Sequence, residues 1–299
     1  MSDTTKLRHQ IHGAGELQSV VRTMKAVAAS SIGQYEQAAR ALDQYCHTIE
    51  LGLGACFRNA HLVAEIDVLP EPPDKTSKPS VRTIVFGSDQ GLVGPFNDVI
   101  ADFAVQTLAK LSRKSEVWAV GDRVSQRLAD AGTNLKGSFS VPSSVKAITA
   151  LIGQLLLATE SQVDPDSEPE LYIIFNRPGT RTTYVPVSQR LLPLDAEWQS
   201  RIVKSAWPTN LPPQTLGDNT TVLRALIHEY LFVTLFRACV ESLVSENASR
   251  LAAMQRADQN INDLLKQLNE SFHRVRQGGI DEELFDVISG FEALGSAKQ

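Results

Sequence analysis

The chain has 299 residues, is 42% hydrophobic and 21% charged, and carries a formal net charge of −5. That length suits about two domains, and that balance describes a folded globular chain rather than a disordered one. An acidic chain is a poor nucleic-acid ligand, and there is no run of about eighteen apolar residues to span a membrane.

The first ten residues, MSDTTKLRHQ, lack the apolar stretch of a secretory signal, and they are too poor in Arg and Ser for a transit peptide. Ser2, Asp3 and Thr5 are candidate helix caps. From about Leu7 to Leu53, small or apolar residues recur at alternating steps of four and three: Leu17, Val21, Met24, Ala28, Ser31, Tyr35, Ala38, Leu42, Tyr45 and Ile49. This pattern predicts a long helix with a narrow seam. Gly13, Gly15 and Gly33 each cost that helix about 1 kcal/mol relative to Ala, so it depends on packing. Its end is expected around Gly52, Gly54 and Ala55. Cys46, Cys56 and Cys239 are odd in number and far apart, which fits reduced thiols in a cytosolic compartment.

Residues 1–67 are thus read as a first coiled-coil arm and 68–80, VLPEPPDKTSKPS, as a Pro-rich linker. An α/β domain is expected over 81–207, with strands alternating with helices. Val81–Gly87, Glu116–Gly121 and Glu170–Asn176 read as buried strands, and Gly137–Val141 as a short one. Thr182–Val187 and Gln189–Leu194 read as edge strands broken by Pro186 and Pro193. Helices are expected over Asn97–Leu111, Asp122–Ala131 and Ser144–Thr159. Strands separated by helices of this length make an open α/β domain with a mostly parallel sheet.

The second arm, 208–299, has no Pro or Gly between Gly217 and Gly278. Its seam runs Leu226, Tyr230, Val233, Arg237, Val240, Val244, Asn247, Leu251, Met254, Asp258, Ile261, Leu265, Leu268, Phe272, Val275. The mean step is about 3.5, the coiled-coil period. The two arms are expected to pair antiparallel, with paired residue numbers summing to roughly 274, so that Leu42 lies near Phe232 and Met24 near Arg250. On that register the first arm runs out opposite about residue 270. Ser271 to about Leu294 is left bare, although it holds Phe272, Val275, Ile280, Leu284, Phe285, Val287, Ile288, Phe291 and Leu294. A bare apolar helix end calls for a surrounding protein. Beside it Arg274, Arg276 and Gln277 form a donor cluster suited to carboxylates and carbonyls. Arg237, Asn247 and Asp258 interrupt the seam, either to fix register or to face a partner.

The chain offers no convincing chemistry. Gly87-Ser-Asp-Gln-Gly91-Leu-Val-Gly94-Pro-Phe-Asn97 follows a strand and opens a helix, but it has neither dinucleotide-fingerprint spacing nor a P-loop Lys. Gly87, Asp89, Gly91, Gly94 and Asn97 are therefore read as a structural turn. Scattered His residues and the absence of H-E-x-x-H, G-x-S-x-G and C-x-x-C leave no catalytic residue, metal site or cofactor to expect.

Three separated stretches carry a resemblance over the whole chain. Met24-Lys25-Ala26-Val27-Ala28-Ala29-Ser30 is similar to a Met-Lys-Met-Val-Ala-Ala-Ser signature. The Gly87–Asn97 turn is similar to Ser-Asp-Arg-Gly-Leu-Cys-Gly-Gly-Leu-Asn. Ser245-Glu246-Asn247-Ala248 and Arg250-Leu251-Ala252-Ala253-Met254 are followed by Arg276-Gln277, Ile280, Glu283, Leu284, Val287, Gly290 and Leu294. Together these resemble the gamma subunit of F-type ATP synthases, as a divergent bacterial member. Gln90 stands for the usual Arg, Pro95 for a Gly, and Gly278-Gly279 should soften the tip. The resemblance implies a non-catalytic rotor shaft inside a ring of alpha and beta subunits, resting on the epsilon subunit and the membrane c-ring. It places the chain peripherally at the cytoplasmic face of a bacterial plasma membrane. Met24, Lys25, Arg250, Arg276, Gln277, Ile280, Leu284 and Val287 are its expected partner contacts. The competing readings are an α/β enzyme binding nucleotide at the Gly91 turn and a plain coiled-coil adaptor.

Overall fold

The computed structural model describes residues 3–62, 81–111, 115–160, 170–180, 183–205, 207–211, 213 and 218–296. The expected linker at 68–80 lies outside the described residues, as does Thr182.

The long seams fold as two helices, α1 (Asp3–Leu62) and α6 (Asn219–Ser296). Between them come β1 (Val81–Phe86), α2 (Phe96–Leu111), β2 (Ser115–Val120), α3 (Asp122–Asp130), β3 (Leu135–Phe139), α4 (Val145–Glu160), β4 (Glu170–Pro178), β5 (Tyr184–Leu192) and α5 (Ala196–Lys204). The chain divides into two compact units: Met1–Ala28 with Leu251–Gln299, and Ala29–Arg250.

In the larger unit the sheet has the order β3-β2-β1-β4-β5. The first four strands are parallel, and β5 runs antiparallel to β4 at the edge. Every residue of β1 is buried, as expected of a central strand covered on both faces. Alternation sorts the side chains. Val85, Val117, Ala119 and Ile174 face Ile100, Ala104, Val124 and Leu128 of α2 and α3. Ile84, Phe86, Ile173 and Phe175 face Ile148, Ile152 and Leu155 of α4, together with Tyr35 of α1 and Leu235, Val240 and Leu243 of α6. Period two in the strands and period about 3.6 in the helices thus build one core on each face of the sheet.

Several boundaries differ from expectation for identifiable reasons. The glycines at 52 and 54 do not stop α1. A Cβ on Gly54 would sit 2.9 Å from the Ile202 carbonyl oxygen, and one on Gly52 would sit 3.3 Å from Leu226. These residues let α5 and α6 approach the helix, so small size rather than termination explains them. The two expected edge strands are one, β5. It accepts Pro186 because it pairs only with β4. The third parallel strand begins two residues earlier than expected, at Leu135. Helix α5 carries no long periodic signal. It is fixed by its Asp195 cap, whose carboxylate accepts from the Trp198 N–H at 2.7 Å, and by burial of Trp198 and Ile202. Cys46, Cys56 and Cys239 are free thiols, and burial pushes Cys239 far above the ordinary thiol range.

Leu42 and Phe232 pack against the same two clusters, and Tyr45 donates to Glu229 Oε1 at 2.6 Å. In the smaller unit the register is shifted from the expected 274. Arg8 lies over the Phe272 ring, Gln18 reaches Asn262 and Arg22 reaches Asp258, pairs whose residue numbers each add to 280. The first helix does not turn back at Ala55 but continues to Leu62. Near the turn the expected sum holds, since Tyr45 and Glu229 add to 274, so the shift is confined to the terminal unit.

Candidate functional site

The Gly87–Asn97 turn is tied inward. Asn97 Oδ1 accepts from the Ser88 N–H at 3.0 Å, and Asn97 Nδ2 donates to Ser88 Oγ at 2.8 Å. The Asp89 carboxylate accepts from the Asp122 N–H at 3.0 Å and from the Val141 N–H at 2.9 Å, joining the loops after β1, β2 and β3. Gly87 has no room for a Cβ, which would lie 2.4 Å from Val124. Ser249 Oγ of α6 donates to the Val93 carbonyl at 2.6 Å. The Asp122 N–H that could greet a phosphate at the start of α3 is already spent on Asp89, a carboxylate of the chain itself. The hollow beside Gly91 and Gly94 measures about 210 Å³, and its Arg127 is paired with Asp98 at 2.7 Å. That volume is below the range of about 300–1,000 Å³ usual for ligand sites. This turn braces the sheet, and its geometry speaks against a nucleotide cradle.

On α6, Arg250 Nη2 lies 2.7 Å from Glu246 Oε1, and Arg250 Nη1 donates to Asn247 Oδ1 at 3.4 Å. Asn247 Nδ2 returns to the Leu243 carbonyl. All three side chains are largely buried. Desolvation pushes the Glu246 carboxyl up against the pull of Arg250. The guanidinium is thus engaged within its own helix.

The terminal unit is built on small residues. Ala14, Val21 and Ala28 are buried at a seven-residue spacing, and Val21, Met254 and Ile261 form a cluster with Met24, Ala253, Ala257 and Leu265 against it. Met24 therefore packs inward. Lys25 and Arg22 turn to Asp258, with Lys25 Nζ 3.3 Å from Oδ2 and Arg22 Nε 3.2 Å from Oδ1. Gln18 Nε2 lies 3.4 Å from the same Oδ1. Burial raises the Asp258 carboxyl, but Lys25 and Arg22 outweigh it and hold it below the usual carboxylate range. In the sequence, Asp258 stood between register and partner roles. The readable signal was on the other helix, where donors at 18, 22 and 25 share one face.

Past Phe272 the cover ends. Phe272, expected bare, lies beneath Arg8 at 5.8 Å. Val275, Ile280, Leu284, Phe285, Val287 and Ile288 are exposed, Phe285 by 67%. Arg276 and Gln277 are exposed and make no hydrogen bond or ion pair among the described residues. The helix passes through Gly278-Gly279 without a break. The side chains of Phe291 and Leu294 lie outside the described residues. Isolated exposed apolar residues are ordinary, but six on one terminal segment make a surface that a partner can cover.

Among the described residues no group of three His, Cys, Asp or Glu could hold a metal, and no helix is long and apolar enough to cross a membrane.

Known proteins are similar to this chain in sequence and fold. The family profile described as ATP synthase matches residues 3–294. The ATP synthase gamma chain of Granulibacter bethesdensis is 28% identical, aligned over 98% of this chain and 100% of its own length. That of Ruthia magnifica is 24% identical, with the same coverage. Among solved structures, a chain of the Euglena gracilis mitochondrial ATP synthase (OSCP/F1/c-ring, rotational state 3) superposes with a TM-score of 0.61 at 14% identity. The alignment covers 99% of this chain and 96% of that one. At that identity the likeness is one of fold.

Proposed function

This chain belongs to the ATP synthase gamma family, and we propose from that membership how its surfaces serve the rotary complex. It is the non-catalytic central-shaft subunit. Its role is to couple rotation of a membrane ring to changes in nucleotide sites that lie on other subunits. The coupling is a difference in contact free energy: a ring of alpha and beta subunits around an asymmetric shaft meets different side chains at each angle. The c-ring and the epsilon subunit are the partners assigned to the α/β body. The chain is assigned peripherally to the cytoplasmic face of a bacterial plasma membrane.

The observation that carries the contact assignment is the exposed end of α6. Arg276 and Gln277 offer unengaged donors, and Ile280, Leu284 and Val287 offer apolar surface. We assign direct ring contact to these five residues and to Lys25. Met24, inside the apolar cluster, and Arg250, on Glu246, contribute by shaping the helix faces beside them. A desolvated Arg contact is worth about 1.5–3 kcal/mol, whereas the apolar residues act as a bearing of weak contacts that permit rotation.

The test has two parts. Purification of the native complex, with its subunits identified by mass spectrometry, should recover the chain with alpha and beta subunits. A chain that copurifies with no ATPase ring is an adaptor, and the proposal fails. Arg276→Ala combined with Gln277→Ala should lower ATP-driven ion pumping or complex yield. Unchanged pumping, hydrolysis and yield would remove the donors from the contact set.

A further inference from the structure

The seam of the terminal unit poses a problem of register. Small residues let two helices approach, but they interdigitate weakly. Ala14, Val21 and Ala28 offer few knobs to stop one helix sliding along the other. Among the described residues, the apolar cluster between the helices has Val21 of α1 and Met254 and Ile261 of α6 as its buried members. One polar side chain stands between Met254 and Ile261 in the seam, and it collects three donors. Asp258 receives Arg22 Nε at 3.2 Å, Lys25 Nζ at 3.3 Å and Gln18 Nε2 at 3.4 Å. The donors come from two successive turns of α1, so together they bracket the carboxylate along the helix axis. A shift of one turn, about 5.4 Å, would carry it past at least two of them. The neighbouring Gln18–Asn262 bond, at 2.5 Å, extends the same register.

We propose that Asp258 is a positioning residue that locks the axial register of the terminal coil and thereby transmits force between its two helices during coupling. This rests on the rotor reading above. An apolar seam resists separation but resists sliding poorly, because contact area changes little as small side chains slip past one another. A carboxylate held by three donors loses its partners in a single step, so it resists sliding directly. The lock belongs to a general class in which a polar group at a seam position sets register rather than stability.

The experiment uses the assembled complex carrying the full chain. Asp258→Asn keeps shape and removes charge. It should leave complex yield and ATP hydrolysis near wild type while lowering the ratio of ion pumping to hydrolysis about twofold or more, the lower end of coupling between residues in one network. Asp258→Glu should recover most of that ratio. A second readout reports register directly: spin labels on Cys at the exposed positions 19 and 259, which leave the clamp intact, should give one short distance in the otherwise wild-type chain, and Asp258→Asn should broaden it or shift it by up to about 5.4 Å, one helical turn. Reversed charges, Asp258→Arg with Arg22→Glu and Lys25→Glu, should restore both readouts. If Asp258→Asn leaves the pumping ratio and the label distance at wild-type values, the lock is refuted. If the wild-type chain itself is absent from any pumping complex, it is the rotor reading that falls.

Discussion

The two units of the chain are held by opposite means. The larger unit has apolar layers on both faces of a five-stranded sheet, with β1 buried throughout and β4 buried at Leu171 and from Ile173 to Asn176. The terminal unit buries one thin apolar cluster and adds a charged clamp, while its far end presents apolar side chains to solvent. The difference shows where each unit finds its partner. A sheet covered on both sides is satisfied within the chain. A helix pair has only one seam to bury, so its outer faces and its overhang remain available to other proteins. The body is arranged for stability and the coil for contact.

That contrast can be broken by substitutions in the two units. Phe86→Ala, in the core between sheet and helices, should cost about 3–5 kcal/mol in denaturant unfolding of the free chain. A loss below about 1 kcal/mol would mean that this layer is loosely packed. Asn97→Ala removes both side-chain bonds to Ser88, and the loss should be about 1–3 kcal/mol because a buried N–H is left unpaired. Ile261→Val in the terminal cluster should cost only about 0.5–1.5 kcal/mol. Its effect should appear as faster hydrogen exchange confined to the terminal segments, with the global midpoint nearly unmoved. A global shift equal to that of Phe86→Ala would erase the distinction between the units.

The next test is in pH. The Asp258 carboxyl is depressed in the folded chain, so its contribution is present above the unfolded value of about 3.9 and is lost as pH falls through the folded one. The protection of terminal-segment amides, measured against the intrinsic exchange rate at each pH, should therefore fall in acid in the wild type, and Asp258→Asn should flatten that limb. An identical acid limb in the variant would show that other carboxylates carry it. The smallest effect is expected at the tip. Arg276→Ala with Gln277→Ala should change the stability of the free chain by less than about 0.5 kcal/mol, because both side chains are exposed and unengaged. A larger loss would place them in an internal contact.

Much of this was legible in residue order. The period of about 3.5 in both arms requires two long helices that bury a shared seam, whatever surrounds them. The strand–helix alternation between 81 and 192 requires a mostly parallel sheet. The bare apolar end of the second arm was visible too, because a helical pattern unbroken by Pro carries on past the point where its partner can follow. Local rules reach this far because periodicity is a property of one segment at a time.

The remainder depended on contacts between distant residues. Gly52 and Gly54 read as a helix end by local rule, but neighbours at Leu226 and Ile202 make them points of close approach within a continuing helix. The terminal register differs from the one near the turn, and Phe272 gained Arg8 as cover. Asp258 was ambiguous alone, and it became a clamp once the register set Gln18, Arg22 and Lys25 opposite it. Arg250 was an attractive contact in the sequence, yet Glu246 one turn away on the same helix engages it. Each of these depends on which distant or neighbouring group lies within a few ångströms, and period alone does not encode that distance. Residue order was enough for the helices, the sheet and the exposed end, while packing set which charges are spent inside the chain and which remain for a partner.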